Sequence, residues 1–194
     1  MAEISSICVY CGSSSNTRTS HRQAATEFGT LLAAEGVSLI FGGGRVGLMG
    51  LAADATLKAG GRVVGVIPQF LAAREVAHTK CTELRTTVTM HERKQQMADL
   101  SDAFVILPGG LGTLDEMFEI ITWRQLSLHQ KPIIIANIDG YWDPLEKLIQ
   151  NISSENYMPR GHDGLFTFVS CIAEILPILR AMPSTTSHLQ SDQP

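Results

Sequence analysis

Short runs made only of apolar residues, each closed by glycine, proline or a polar turn, alternate with helix-period segments along this chain. A run such as Ile133-Ile134-Ile135 has no polar side, so as a strand it must be covered on both faces. Strands of that kind, alternating with amphipathic helices, build a parallel sheet held between two helical layers. The pattern predicts strands over Ile4–Tyr10, Val37–Phe41, Arg62–Ile67, Ala103–Leu107 and Pro132–Asn137, with shorter ones at Thr82–Val88 and Thr167–Cys171. Helices are predicted over Ser20–Glu35, Gly47–Ala59, Glu92–Leu100, Leu114–Leu126, Leu145–Asn151 and Ala173–Ala181. The expected class is α/β, three layers with a mostly parallel central sheet.

A chain of 194 residues can bury one good core, and one domain is expected over residues 1–182. Residues 183–194 are rich in Ser, Thr and Gln and poor in apolar residues, which predicts a disordered tail. The formal net charge of −4 argues against a nucleic-acid partner, which would call for a basic face. No apolar run approaches the roughly 18 residues of a membrane span. Glu3 and Ser5-Ser6 interrupt any signal-like start, so the expected location is cytoplasmic. Cys8 and Cys11 form a CxxC, yet positions three apart on a strand point to opposite faces, and no second pair completes a metal set. They are read as buried, reduced thiols, and no metal site is expected.

In an open parallel sheet, ligands bind beyond the carboxyl ends of the strands, where the winding direction changes. The strand ends here carry Cys11-Gly12-Ser13-Ser14, Gly42-Gly43-Gly44 and Pro108-Gly109-Gly110, which can share one edge. Gly42 to Gly47 also matches the GxGxxG dinucleotide fingerprint. That fingerprint needs an acid at the end of the next strand, and Ile67-Pro68-Gln69 supplies none. A P-loop ending in Gly-Lys-Ser/Thr is absent too. A single phosphate held by glycine turns is the simpler reading, with Gly12, Ser13, Gly43, Gly44 and Gly109 as candidate contacts.

The run Pro108-Gly109-Gly110-Leu111-Gly112-Thr113-Leu114-Asp115-Glu116 joins a strand to a helix, and the free N–H groups of a helix start attract anions. Glu116 places a carboxylate beside that anion site, which suits a ligand with two ends of different polarity. Thr113 and Glu116 also have the spacing of a capping box, in which both side chains would merely satisfy backbone N–H groups. A second informative segment is Met90-His91-Glu92-Arg93-Lys94. Its cations either form a solvated face or turn Arg93 into the cleft, toward Glu116 or a phosphate.

These two segments together resemble the LOG ("lonely guy") family, cytokinin riboside 5′-monophosphate phosphoribohydrolases formerly labelled lysine decarboxylases. The likeness continues through Gly47-Leu48-Met49-Gly50, Trp123-Arg124-Gln125-Leu126, Lys131-Pro132 and Gly140-Tyr141-Trp142-Asp143-Pro144. It implies a Rossmann-like fold, a homodimer, and hydrolysis of the N-glycosidic bond of a nucleoside 5′-monophosphate to free base and ribose 5-phosphate. The implied catalytic positions are Arg93 and Glu116. Implied substrate contacts are Glu75, Met90, Arg93, Lys94, Gly110, Leu111, Gly112, Thr113, Leu114, Asp115, Glu116 and Thr122.

Such a reaction builds positive charge on the ribose, which a nearby carboxylate stabilises, and it needs no cofactor. Glu116 is expected in that role, either as a base toward water or as an electrostatic stabiliser. Arg93 is expected to position it and keep it ionised. Rival readings are a nucleosidase for AMP or another purine nucleotide, and a non-catalytic nucleotide-binding module. Lysine decarboxylation would need a Schiff-base lysine on pyridoxal phosphate, and Lys94 lies in no such motif.

Overall fold

The computed structural model describes residues 4–72, 77–158 and 164–182. Its centre is a seven-stranded sheet in the order β4-β3-β2-β1-β5-β6-β7. The strands are β1 (Ser6–Tyr10), β2 (Ser38–Phe41), β3 (Val63–Pro68), β4 (Glu83–Thr87), β5 (Ala103–Ile106), β6 (Ile133–Ala136) and β7 (Thr167–Val169). Every pairing between them is parallel. The chain winds outward from β1 to β4, then crosses back so that β5 lies on the other side of β1. The gap between the ends of β1 and β5 is therefore the switch point, where such sheets bind ligands.

The helices are α1 (Thr19–Ala34), α2 (Gly47–Lys58), α3 (Gln69–Ala72), α4 (Met90–Asp99), α5 (Leu111–Gln125), α6 (Asp143–Ser154) and α7 (Ile175–Ala181). Alternation along the strands sends side chains to two separate cores. Val9, Phe41 and Val105 pack with Phe28 and Leu32 of α1 and Ala52 of α2. Tyr10, Ile40 and Phe104 pack with Met97 of α4 and Met117 and Ile120 of α5. Fully burying a side chain of this size contributes about 1.5–3 kcal/mol, so both helical layers are needed to cover the sheet. Cys11 joins the first core and Cys8 the second, so the CxxC is split across the sheet and both thiols are free.

At the amino ends of the strands, Asp102 accepts hydrogen bonds from the N–H and hydroxyl groups of Ser5 and Ser6 at 2.8–2.9 Å. This fastens the start of β1 to the start of β5 and sets the register Ile7 to Ala103 that fixes the switch point. β4 is an edge strand, and its outer charges form the Arg62–Glu83 and Arg85–Glu83 pairs, each at 2.6 Å. No helix among the described residues is long and apolar enough to cross a membrane.

Most elements lie within a residue or two of the positions expected from the sequence. The main departure is α5, which starts at Leu111 rather than Leu114. Gly112, outside the expected helix, occupies its first turn, with Gly110 as an extended N-cap at φ −98°. The predicted tail at 183–194 lies outside the described residues.

Candidate active site at the switch point

The three glycine turns meet at this edge of the sheet. The Gly12 N–H donates to Pro108 O at 3.0 Å, and the Gly12 carbonyl accepts from the Leu48 N–H at 2.9 Å. These bonds tie the ends of β1 and β5 to the start of α2. Gly12 is half-buried and Ser13 exposed, whereas Gly43 and Gly44 are buried. Gly43 is engaged by the protein itself: its carbonyl accepts from His78 N–H at 2.9 Å, and Gly44 bridges to Ala77. The His78 ring is fully buried, with Nε2 3.0 Å from Asp54 Oδ1. Gly43 and Gly44 thus hold the returning segment, while the turn at Pro108–Gly112 faces outward.

α4 begins with a capping box. Thr89 Oγ1 accepts from the Glu92 N–H at 3.1 Å, and Glu92 Oε2 accepts from the Thr89 N–H at 3.3 Å. Glu92 is thereby committed to the helix start. With the helix phase fixed, the next residue, Arg93, points under the sheet edge. Arg93 is 6% exposed, and its guanidinium donates from Nε to Val66 O at 3.2 Å and from Nη1 to Glu116 Oε1 at 2.8 Å. A Cβ on Gly42 would overlap Arg93 Nη2, so the glycine there makes room for the guanidinium. Of the two dispositions open from the sequence, Arg93 takes the inward one and meets Glu116.

α5 begins differently. No side chain caps it, and Gly110 stands at the N-cap. Thr113 lies inside the first turn and Glu116 in the second, so the capping box suggested by their spacing does not form; Glu116 turns instead to Arg93. A Cβ on Gly109 would overlap the Thr113 side chain, which accounts for glycine at that position. At Gly110 and Gly112 a Cβ would meet nothing within 4 Å, and neither residue has a positive φ. Neither packing nor backbone conformation demands glycine there. What the missing side chains do is leave the helix N–H groups open to a ligand.

Glu116 is 8% exposed. Burial raises its pKa above the usual carboxylate value, and the charge of Arg93 works in the opposite direction without cancelling that rise. Lys94 sits beside the pair with its ammonium 3.2 Å from Asp115 Oδ2 and 3.0 Å from Glu119 Oε1. Burial disfavours its charge, but the two carboxylates outweigh that and hold its pKa above the ordinary lysine value. Glu119 supports the site through Lys94.

The structure thus brings Arg93, Lys94, Thr113, Asp115 and Glu116 together, with Gly12, Ser13, Gly109, Gly110, Leu111 and Gly112 on the connecting turns. Met90 is half-buried at the start of α4, and Leu114 is partly buried against the second core. Thr122 does not join the cluster; it is exposed, about 9 Å further along α5 at 1.5 Å per residue. Glu75 lies outside the described residues. Sequence reasoning missed three contributors: Gly42 as the seat of Arg93, His78 as the anchor of Gly43, and Tyr141, whose hydroxyl reaches Gly109 O. Only Gly42 and Tyr141 had a sequence signal, in the triple glycine and in the run Gly140–Pro144.

Fold and site together define a doubly wound α/β protein with a buried arginine–glutamate pair beside an open helix start at the switch point. Residues 49–179 match the family described as possible lysine decarboxylase. The chain is 48% identical over 160 residues to the probable cytokinin riboside 5′-monophosphate phosphoribohydrolase LOGL9 of Oryza sativa subsp. japonica, covering 82% of this chain and 70% of that protein. It is 47% identical over 152 residues to the enzyme LOG of the same plant, covering 78% of this chain and 63% of that protein. With LOG1 of Arabidopsis thaliana it shares 44% over 152 residues, 78% of this chain and 71% of that protein. The chain belongs to the LOG family. Among solved structures, the molybdenum cofactor binding protein of Rippkaea orientalis superposes with a TM-score of 0.69 at 22% identity, over 90% of this chain and 94% of that one. The molybdenum cofactor carrier protein of Chlamydomonas reinhardtii gives 0.70 at 21%, over 90% and 95%. At those identities the likeness establishes a shared Rossmann-like fold.

Proposed function

We propose that this protein hydrolyses the N-glycosidic bond of nucleoside 5′-monophosphates carrying an N6-substituted adenine, releasing the free base and ribose 5-phosphate. The observation that carries the reading is the pairing of two features at one helix start. Gly110 and Gly112 leave amides open for a dianionic phosphate, and Glu116 is buried one turn further on. A nucleotide has that same polarity, with a phosphate at one end of a sugar whose anomeric carbon becomes cationic as the base departs.

In the reaction, the amides of the Gly109–Gly112 turn and the Thr113 hydroxyl hold the 5′-phosphate. Binding energy realised there fixes the ribose relative to Glu116, remote from the bond that breaks. The carboxylate of Glu116 stabilises the developing oxocarbenium charge and draws a proton from attacking water. The water oxygen bonds to the anomeric carbon, the C–N electron pair leaves with the base, and the proton drawn by Glu116 passes through solvent to the base, which restores the carboxylate. Arg93, held by Val66 O, fixes the orientation of Glu116. Lys94 serves through Asp115 and Glu119 to hold the start of α5 against α4.

Lysine decarboxylation fits these residues poorly. A Schiff-base lysine must lose its proton to attack an aldehyde, and Lys94 is paired with two carboxylates that favour its charged form. A second copy of the chain is proposed to cover the exposed side of α5, along Leu111, Phe118, Thr122 and Leu126. The protein is accordingly proposed to be a homodimer, with the cytoplasm as its proposed location, and a monomer in sedimentation would remove the dimer from the reading.

The test of substrate class is the rate on AMP against the rate on N6-isopentenyl-AMP, with ribose 5-phosphate as the product followed. A clear preference for the modified nucleotide supports the proposal. Equal rates would make this a general purine nucleotide nucleosidase, and no release from either would leave a binding module.

A further inference from the structure

The turn after β6 contains the stretch Gly140-Tyr141-Trp142-Asp143-Pro144, to which the mechanism above assigns nothing. It is heavily constrained. Asn137 accepts the Trp142 N–H at 2.7 Å and donates to Asp143 Oδ1 at 2.8 Å, while Asp139 and Gly140 both take positive φ values of 52° and 67°. A non-glycine residue in that conformation costs about 1 kcal/mol or more and persists only where its surroundings hold it. The outcome of the constraint is the placement of Tyr141. Its ring stands edge-on between Trp142 (centroids 4.8 Å apart) and His21 of α1 (5.1 Å), and its hydroxyl donates to Gly109 O at 2.6 Å.

That carbonyl is not an arbitrary acceptor. Gly109 C=O and Gly110 N–H belong to one planar trans peptide, so they point in opposite directions. Fixing the oxygen on the Tyr141 side fixes the Gly110 N–H on the other side. Gly110 is the uncapped N-cap of α5 and carries no side chain to hold its peptide plane by packing. Glycine peptides reorient easily, and an amide that must meet a phosphate gains from being held in advance. We propose that Tyr141 is a positioning residue that locks the Gly109–Gly110 peptide with its N–H aimed at the substrate's phosphate. This rests on the reading of the turn as a phosphate seat.

The test is the Tyr141→Phe variant, which removes the hydroxyl and keeps the ring between His21 and Trp142. Binding of ribose 5-phosphate and of inorganic phosphate is measured by titration calorimetry, and turnover of N6-isopentenyl-AMP in parallel. The expected result is affinity for ribose 5-phosphate weakened roughly three- to tenfold, the scale of one hydrogen bond. KM rises by the same factor with kcat within about twofold, the pattern of lost uniform binding. The melting temperature stays within about 2 °C of wild type. Unchanged affinity and KM would overturn the proposal, as would a lowered melting temperature with affinity intact. A fall in kcat at constant KM would also overturn it, since the hydroxyl would then act in the chemistry. Weakened ribose 5-phosphate binding in a protein that turns over no nucleotide would uphold Tyr141's role while removing the hydrolase reading. Failure of wild type to bind either phosphate would overturn both.

Discussion

Two helices start at the same edge of this sheet with the same sequence pattern, a threonine followed three residues later by a glutamate. In α4, Thr89 and Glu92 close a capping box, and the helix start is satisfied by its own side chains. In α5, Thr113 and Glu116 are displaced into the helix, the N-cap is Gly110, and no side chain among the described residues caps the first turn. One helix start is complete without a ligand and the other is left open for one. The difference comes from where the chain enters the helix. Both N-caps are extended, but in α4 the N-cap is Thr89 itself, whereas in α5 it is Gly110, three residues before Thr113.

The comparison can be broken most forcefully at the residue that joins the two helices. Arg93→Ala leaves the Glu116 carboxyl buried without its partner, and loss of one member of a buried pair costs about 3–5 kcal/mol. The melting temperature should fall by roughly 10 °C at the usual scaling for a chain of this size, with turnover abolished. Loss of turnover with unchanged thermal stability would mean the pair is not the bridge between α4 and α5.

A second change acts on the open start alone. Gly112→Ala adds a methyl group where a Cβ meets nothing within 4 Å, at a helical position. Alanine should stabilise the helix by about 0.5–1 kcal/mol over glycine. The same methyl intrudes on the space proposed for the phosphate, so KM should rise about tenfold or more while the melting temperature increases. A stabilised variant with unchanged KM would show that the bare helix start has no ligand. Thr89→Ala is the counterpart in α4, the smallest effect of the three. Removing the cap should cost about 1 kcal/mol. The melting temperature then falls by a few degrees with kcat nearly unchanged.

Much of the fold was legible because strands buried on both faces declare themselves in short apolar runs; β2, β5 and β6 fall where those runs lie. The edge strand β4 was fainter, since its alternating charges resemble a loop. The start of α5 was misjudged because glycine usually punctuates a helix, and here Gly112 is inside one. That error in phase made Thr113 and Glu116 look like caps, while an expected α4 start at Glu92 hid the box that Thr89 and Glu92 do form. The direction of Arg93 could not be read locally at all. It depends on Val66 O and on the space at Gly42, both brought alongside only by the order of β2 and β3 in the sheet.

The central claim is that Glu116 is kept for chemistry and not for holding the helix. The most direct measurement is single-turnover hydrolysis of N6-isopentenyl-AMP by Glu116→Gln, which keeps an oxygen to accept from Arg93 and loses the charge. The account predicts a folded protein that still binds ribose 5-phosphate but hydrolyses the nucleotide at least about a hundredfold more slowly, the scale of a positioned acid–base group. Hydrolysis at the wild-type rate in that variant would contradict it.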